Sequence, residues 1–210
     1  MMRLRIDFAK TEAMRFTSHL DLHRTWERTL RRAGLPLAYS QGFKPHPRIV
    51  LASALPLGFT SQAEVVDIWL EDQIPLEQVK SALQRAIPPG LQIESLSEAE
   101  PGEPALPAQV VAQEYRITFP APIPDLDQRV QGILQAGSLV RNWRDKSYDL
   151  RPLILNIERL SDDAEACPQL LVTLAAREGA TGRPEELVRA LEESPEQAHF
   201  HRTRLIFGSN

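Results

Sequence analysis

The feature that most constrains the fold is a change in hydrophobic periodicity near the start of the chain. Residues 3–8 alternate charged and apolar side chains, which is typical of a half-buried strand. Between Ser18 and Gly34 the apolar residues instead recur every fourth position from Leu22 to Leu30, which predicts a helix. Ser18 fits the N-terminal cap of this helix, and Gly34 fits its end. We expect the apolar stripe of the helix to pack on a sheet that contains the first strand.

The elements that follow complete a recognisable order. Residues 35–39 and 48–57 have the character of extended segments, and residues 63–71 are rich in β-forming side chains. A second helix is predicted over residues 76–87 and a last strand over residues 91–96. The order β-α-β-β-α-β predicts a ferredoxin-like unit, in which both helices cover one sheet face and the other face is open to a ligand.

The same order recurs after an acidic, proline-rich segment. We therefore predict an α+β protein of two tandem ferredoxin-like (βαββαβ) units with antiparallel sheets: residues 1–98, a linker at 99–112, and residues 113–210. The second unit is predicted from element order, without any repeat at the level of single residues. Its predicted strands lie at 114–119, 138–143, 150–160, 170–177 and 199–207, and its helices lie at 125–136 and from residue 184.

Composition excludes several classes of protein. No apolar run approaches the roughly 20 residues of a membrane span, and the N-terminus lacks the apolar core of a secretory signal, so we expect a cytoplasmic protein. Cys167 is the only cysteine in the 210 residues, which excludes an internal disulfide and an iron–sulfur cluster built from this chain alone. We predict no cofactor in this chain.

Charge is distributed unevenly along the chain. The formal net charge is −4, yet residues 1–60 hold 10 Lys and Arg against 4 Asp and Glu, which gives +6. Residues 61–114 hold 2 against 10, which gives −8. A basic block of this kind favours an anionic partner, of which nucleic acid is the commonest. The alternative is that the basic block simply packs beside the acidic one.

Residues 39–48, which we call the presenting loop, form the most distinctive segment. Prolines on both sides of His46 restrict the backbone, and Gly42 allows a sharp turn just before Phe43. A stiff loop that is both cationic and aromatic is typical of a binding surface. The alternative is a rigid connection between strands with no ligand.

A set of basic and aromatic residues on this helix and loop predicts an RNA-binding surface. The cations would contact phosphates, and the aromatic rings would stack on unpaired bases. Alternatively, the arginines form a solvated helix face and Phe43 fills a core. The predicted RNA-binding residues are Arg24, Arg28, Arg31, Arg32, Tyr39, Phe43, Lys44 and Arg48, together with Arg144, Lys146 and Arg151 from a second basic and aromatic cluster.

Three histidines raise two chemical hypotheses. His19 and His23 lie four residues apart on the first helix, and His46 lies on the presenting loop, a set that is compatible with zinc. No His-Glu-x-x-His motif accompanies them, so we predict no metal site. His19 or His46 could instead act as the general acid or base of a metal-independent endoribonuclease, although we expect binding without catalysis.

Several motifs, distributed over nearly the whole chain, resemble the signature of the radical-SAM-associated domain of unknown function. The nine-residue motif of the presenting loop is the most specific. The motifs are Ser-His-Leu-Asp at 18–21, Arg-Arg-Ala-Gly-Leu-Pro at 31–36, Tyr-Ser-Gln-Gly-Phe-Lys-Pro-His-Pro at 39–47, Leu-Pro-Leu-Gly at 55–58, Asp-Leu-Arg-Pro at 149–152, Arg-Pro-Glu at 183–185 and His-Arg-Thr at 201–203.

This resemblance implies a bacterial-type protein that is fused to, or encoded beside, cobalamin-binding radical SAM proteins. The chain has no Cys-x-x-x-Cys-x-x-Cys motif, so it would be the free-standing associated domain and any iron–sulfur chemistry would belong to its partner. The function we expect is RNA-binding substrate recognition for a radical SAM enzyme. The alternatives are a module that docks the enzyme without nucleic acid, and the endoribonuclease.

Overall fold

The computed structural model describes residues 1–100, 102–143, 146–164, 166–177 and 179–208. The chain forms two compact units, Met1–Gln109 and Val110–Asn210. Within the predicted linker at 99–112, the structure has a short helix, α3 (Leu106–Gln109), and the start of the next strand. Residues that we expected to be a connection therefore carry secondary structure.

The first unit has the ferredoxin-like topology. Its four strands are antiparallel and lie in the spatial order β2-β3-β1-β4, with α1 following β1 and α2 following β3. A single 3-10 turn, Glu12–Met14, precedes α1. The elements are β1 (Met2–Lys10), α1 (His19–Arg32), β2 (Ile49–Leu51), β3 (Thr60–Leu70), α2 (Leu76–Ala86) and β4 (Leu91–Glu98).

The core of the first unit lies between the two helices and one face of the sheet. The even-numbered residues of β1 from Met2 to Phe8 are buried there together with Leu22, Trp26 and Leu30 of α1. The ring of Trp26 packs edge-on against Phe8, with 4.9 Å between ring centroids. The odd-numbered residues of β1 point to the opposite face, as strand geometry requires. The sheet therefore has an apolar helical face and a second face that carries charged residues.

Segments 35–39 and 48–57 are less regular than predicted. Only Ile49–Leu51 forms a strand, while Leu37 pairs with Leu70 as an isolated bridge. Gly34 ends α1 with a left-handed φ of +68°, the conformation expected of a glycine after a helix. The chain then folds back along β3 instead of forming a continuous strand.

The second unit repeats the topology with an insertion. Its antiparallel strands lie in the order β8-β9-β5-β11, with α4 after β5 and α5 before β11, and β10 (Ala180–Thr181) extends the edge of β9. A separate hairpin of β6 and β7 separates α4 from β8. The elements are β5 (Val110–Thr118), α4 (Leu126–Gln135), β6 (Val140–Trp143), β7 (Lys146–Asp149), β8 (Ile154–Leu160), β9 (Gln169–Arg177), α5 (Pro184–Ala190) and β11 (His199–Phe207).

These two topologies confirm the predicted α+β class with tandem ferredoxin-like units and antiparallel sheets. In the second unit, the buried side chains of β9 alternate along the strand at Leu170, Val172 and Leu174. Helices α4 and α5 each contribute apolar residues to the buried set. No helix within the described residues is both long enough and apolar enough to cross a membrane.

Candidate nucleic-acid interface

The presenting loop is closed at its base by hydrogen bonds between its two arms. The amide of Ser40 donates to the carbonyl of His46 at 2.8 Å, and the amide of His46 donates to Ser40 Oγ at 3.0 Å. Tyr39 and Pro47 pair as an antiparallel bridge just below. Gly42 takes a φ of +140° in the turn, a conformation that other residues rarely adopt. The presenting loop therefore has a defined conformation.

The base of the loop is joined to β3. The amide of Ala38 donates to the carbonyl of Trp69 at 2.8 Å, and the amide of Trp69 donates to the carbonyl of Arg48 at 3.1 Å. Arg48 in turn donates its amide to Ala38 at 2.9 Å. Both arms are consequently attached to the same strand, and Pro47 in the second arm is buried.

The tip of the loop presents a ring and an amine to solvent. The side chain of Phe43 is fully exposed, and Tyr39 is 39% exposed. Lys44 is exposed and makes no hydrogen bond or ion pair within the described part of the chain. Phe43 is thus not the core residue of the alternative hypothesis, because it packs into no core. An exposed aromatic ring next to a cation is the combination that stacks on a base and neutralises its phosphate.

Arg48 differs from Lys44, because its guanidinium already has an aromatic partner. It lies 4.6 Å from the ring centroid of Trp69, and Arg3 lies 5.3 Å from the same ring. Trp69 is half-buried on β3, on the sheet face opposite the helices. The sequence predicts Trp69 to lie in a strand, but it is not among the residues predicted for the site. Trp69 lies beside Arg48 because of the register in which the presenting loop pairs with β3. The hydrophobic periodicity of the sequence does not predict that register.

The face opposite the helices is organised around one buried carboxylate. Asp67 is fully buried and accepts hydrogen bonds from Arg3 at 2.6 and 2.9 Å and from Arg5 at 3.0 and 3.1 Å. The hydrogen bond that Arg5 donates to Asp67, together with the charge of Asp67, raises the pKa of Arg5 against the opposing effect of burial. These two arginines belong to the basic block of the sequence, and Asp67 belongs to the acidic block. Part of the charge asymmetry is therefore neutralised inside the first unit.

This face is also partly covered, contrary to the expectation of an open face. Arg3 donates to the carbonyls of Glu103 and Pro104 at 2.9 and 3.0 Å, and Arg5 pairs with the Glu103 carboxylate at 2.8 Å. Leu106 in α3 is completely buried. A ligand for the whole sheet face would have to displace these residues, which leaves the presenting loop as the accessible part of the surface.

The predicted arginines of α1 lie on its exposed side. Arg24 pairs with Asp21 at 3.1 Å and Arg31 pairs with Glu27 at 2.8 Å. Arg28 lies between them and makes no hydrogen bond or ion pair with the residues that the structure describes. Surface pairs of this kind are weak and open readily to an anion. Arg32 is exposed at the end of the helix, where its guanidinium approaches the carbonyl of Ala86 at 3.4 Å.

The start of α1 is fixed by Ser18, as predicted. Ser18 Oγ accepts from the amide of Asp21 at 3.2 Å and donates to the Asp21 carboxylate at 2.7 Å. Hydrogen bonds from Ser18 and then Arg24 lower the pKa of Asp21. On the inner side of the helix, His23 Nε2 donates to the carbonyl of Ile49 at 3.2 Å. This bond places α1 beside the base of the presenting loop.

The three histidines of the first unit are divided between α1 and the presenting loop. His46 is exposed on the loop, His19 is the first residue of α1, and His23 is bonded to β2. Among the described residues, no group of three or more His, Cys, Asp or Glu side chains is placed to hold a metal ion. The assignment of His19 or His46 as a catalytic acid or base stays a prediction.

The second predicted cluster is divided by the structure. Arg151 Nη2 donates to the carbonyl of Leu134 at 2.9 Å and its Nη1 donates to that of Ile154 at 3.2 Å, so this side chain stabilises the fold locally. The Asp149 carboxylate accepts from the amides of Leu139 and Arg151, and these bonds lower its pKa. Lys146 lies in β7. Arg144 lies outside the described residues.

Fold and site together define a class of protein: two tandem ferredoxin-like units, with an exposed basic and aromatic loop on the first. The chain belongs to the family described as "Uncharacterized protein conserved in bacteria (DUF2344)", whose family model matches residues 3–184. The comparison with curated proteins gave no match. The resemblance is therefore confirmed at the level of an uncharacterised bacterial family. The association with radical SAM proteins remains a proposal.

Two solved structures are similar to the chain at low identity. One is a chain of "Crystal Structure of a Cbf5-Nop10-Gar1 Complex", with 12% identity, a TM-score of 0.51, and coverage of 96% of this chain and 48% of that one. This chain therefore spans about half the length of that neighbour. The other, "Crystal structure of putative glycine cleavage system transcriptional repressor", has 9% identity, a TM-score of 0.25, and coverage of 99% and 98%. The first similarity supports the fold alone.

Proposed function

We propose that this protein binds single-stranded RNA through the presenting loop and the exposed side of α1. The observation that carries the proposal is the loop tip, where the fully exposed ring of Phe43 adjoins the unpaired amine of Lys44. Every nucleic-acid base has a face on which an aromatic ring can stack, and a cation beside the ring can contact the phosphate. Phe43 and Lys44 together are therefore suited to bind an unpaired strand. The hydrogen bonds at Ser40 and His46 fix the loop before the ligand arrives.

The arginines of α1 extend the same surface. Arg28 is exposed without a hydrogen-bonded or ion-paired partner in the described part of the chain, and Arg24 and Arg31 are held only by surface pairs. The bond from His23 to Ile49 places this helix next to the base of the loop. Contacts from arginines to phosphates add affinity without reading sequence. We therefore infer that the loop holds bases and the helix holds the backbone.

We further infer that the bound RNA is presented to a radical SAM enzyme. This inference rests on the motifs at residues 18–21 and 39–47, whose resemblance implies such a partner. With one cysteine in the sequence, the chain cannot supply the three thiolates of the enzyme's cluster. The division of labour would give recognition to this protein and chemistry to the enzyme.

Replacing the exposed ring tests the stacking contact. We expect Phe43→Ala to weaken binding of a short, fluorescently labelled single-stranded RNA about tenfold, because stacking contributes about 1–3 kcal/mol per base. Fluorescence anisotropy measures the dissociation constant. The matched control is Phe16→Ala, which removes another exposed ring from the same unit and should leave RNA affinity unchanged. Equal losses in both variants would contradict the assignment of Phe43.

Removing the loop cation tests the phosphate contact. Lys44→Ala should lower affinity for all RNA sequences alike and reduce the slope of log K against log salt by about 0.7, the value for one single-strand phosphate. Titrations at about 50 and 200 mM salt measure this slope. The control is Lys80→Ala, since Lys80 is exposed on α2. Failure of the unsubstituted protein to bind RNA at the lower salt would refute the proposed function.

One observation favours a second candidate, a protein-docking module. Three apolar side chains are largely exposed at the start of α1 and in a nearby loop: Phe16, Leu20 and Leu57. Arg15 and Gly58 bind each other by two hydrogen bonds, at 2.9 and 3.1 Å, which brings Phe16 and Leu57 together. In this case, Phe16→Ala would weaken capture of the purified radical SAM enzyme, whereas Phe43→Ala would not.

A further inference from the structure

The β6–β7 hairpin of the second unit carries two polar side chains on one face. Arg141 and Tyr148 are direct cross-strand partners, so their side chains leave the hairpin on the same side. Neither residue belongs to the RNA surface proposed for the first unit. Their chemistry therefore needs an explanation of its own.

Both side chains have a buried polar atom with no hydrogen-bond partner. Arg141 Nε and Tyr148 Oη are each inaccessible to solvent, and no described residue offers either of them a hydrogen bond. A buried donor without an acceptor is rare, because its lost hydration is not replaced. Arg141 Nε can only donate, and a tyrosine hydroxyl donates readily. Two such donors on directly paired residues make this part of the hairpin a candidate site for an acceptor.

A cavity of about 450 Å³ borders the hairpin at Tyr148. Arg141 is not among the described residues that line it, but it lies beside Tyr148 as its cross-strand partner. The described residues that line the cavity are Tyr148, Asp149, Leu153, Arg183 and residues 179–181, which include β10. The volume is sufficient for a small molecule that carries one anionic group. Arg183 provides a second positive charge at the wall, which favours an anion over a neutral acceptor.

Two carboxylates near the cavity could repel an anion, but each of them already has a partner within the second unit. The Asp149 carboxylate already accepts the amides of Leu139 and Arg151, at 2.7 and 2.9 Å. The Glu186 carboxylate pairs with Arg189. Burial, followed by the charge of Glu186, raises the pKa of Tyr148, so its hydroxyl stays protonated and able to donate.

We propose that the cavity beside the β6–β7 hairpin binds the oxyanion of a small ligand, a phosphate or carboxylate group. The Tyr148 hydroxyl and the Arg183 guanidinium would bind it from the cavity wall, and Arg141 Nε would donate from the hairpin position beside Tyr148. This site is independent of the proposed RNA-binding function, since it uses only residues of the second unit. The oxygens of the bound anion would accept hydrogen bonds from Arg141 Nε and the Tyr148 hydroxyl.

The direct test follows the donor itself. Inorganic phosphate and, separately, acetate are titrated into the full chain labelled with ¹⁵N, and the arginine Nε–H signals are recorded by NMR. We expect a saturable shift of the Arg141 signal, which is assigned by its loss in Arg141→Lys. A shift with phosphate alone identifies a phosphate site, and a shift with acetate alone identifies a carboxylate site. No shift with either anion at any concentration would overturn the proposal.

The tyrosine hydroxyl has a matched control. Tyr148→Phe should weaken the anion that binds about tenfold, the effect of losing one hydrogen bond to a charged group, whereas Tyr39→Phe on the presenting loop should not. Without anion, Tyr148→Phe should unfold at the same temperature as the unsubstituted protein or higher, because the hydroxyl has no partner to lose. A clear fall in that temperature, or unchanged anion affinity in Tyr148→Phe, would refute the role of the hydroxyl.

Discussion

Replacing Asp67 by alanine is expected to lower the free energy of unfolding of the first unit by about 3 kcal/mol, since breaking a buried ion pair costs about 3–5 kcal/mol. The Asp67 carboxylate is fully buried and accepts two hydrogen bonds each from Arg3 and Arg5. Its removal leaves two mostly buried guanidinium groups without their shared anion. The lower end of the range applies because both arginines retain bonds to residues 103–104.

The effect of Asp67→Ala can be measured by amide hydrogen exchange at increasing urea, read on peptides from β1 and β3. This local measurement is needed because two compact units need not unfold together. The control is Glu27→Ala, which breaks the pair with Arg31 on the surface of α1 and should change stability by about 0.5 kcal/mol or less. If the two variants lose equal stability, the network around Asp67 contributes no more than a surface pair.

Helix α1 shows what local sequence signals can determine. Ser18, the four-residue spacing from Leu22 to Leu30, and Gly34 predict a helix between the cap and the glycine, and the structure has it at His19–Arg32. Each signal acts within a few residues of where it is read. The cap bonds an amide three positions ahead, and the glycine adopts a φ that other residues avoid. The element order of the first unit was predictable for the same reason. In the second unit, the strand predicted at 138–143 lies in the separate β6–β7 hairpin, and β7 and β10 were not predicted.

The covered face of the first sheet was not predictable, because its contacts join distant residues. The strand around Asp67 is apolar on both sides, and alternation does not reveal that a carboxylate between Val66 and Ile68 is buried against two arginines more than 60 positions earlier. The segment that covers them has no periodicity. Its contacts use the backbone carbonyls of Glu103 and Pro104, which any sequence could supply.

The part of the candidate site that depends on nearby residues in the sequence was predictable. Gly42 and the two prolines indicated a stiff loop, and the structure exposes Phe43 and Lys44 at its tip. Sequence did not distinguish exposed cations from those with structural partners. Arg48 lies against Trp69, and Arg151 donates to backbone carbonyls. Such pairings depend on strand register and loop path, which are properties of the complete fold.

Trp26→Ala is the second substitution for which we expect a large effect, about 3–5 kcal/mol of lost stability, the usual range for truncating a buried tryptophan. Trp26 is completely buried, packs edge-on against Phe8 and belongs to the core between α1 and the sheet. Alanine would leave a cavity in the centre of this core. Because α1 carries the arginines and contacts the base of the presenting loop through His23, loss of this packing should loosen the proposed RNA surface as well.

Trp26→Phe tests how much of this effect depends on an aromatic ring at this position. Phenylalanine keeps a ring against Phe8 and removes an indole N–H that is buried without an acceptor among the described residues. We therefore expect Trp26→Phe to lose clearly less stability than Trp26→Ala, because it leaves a smaller cavity. Amide hydrogen exchange at increasing urea, read on peptides from α1, measures the stability of both variants. Fluorescence anisotropy with labelled RNA measures their RNA affinity. If Trp26→Ala keeps full protection of α1, the helix is held by contacts other than this core; if it loses protection but binds RNA normally, the RNA surface does not depend on α1.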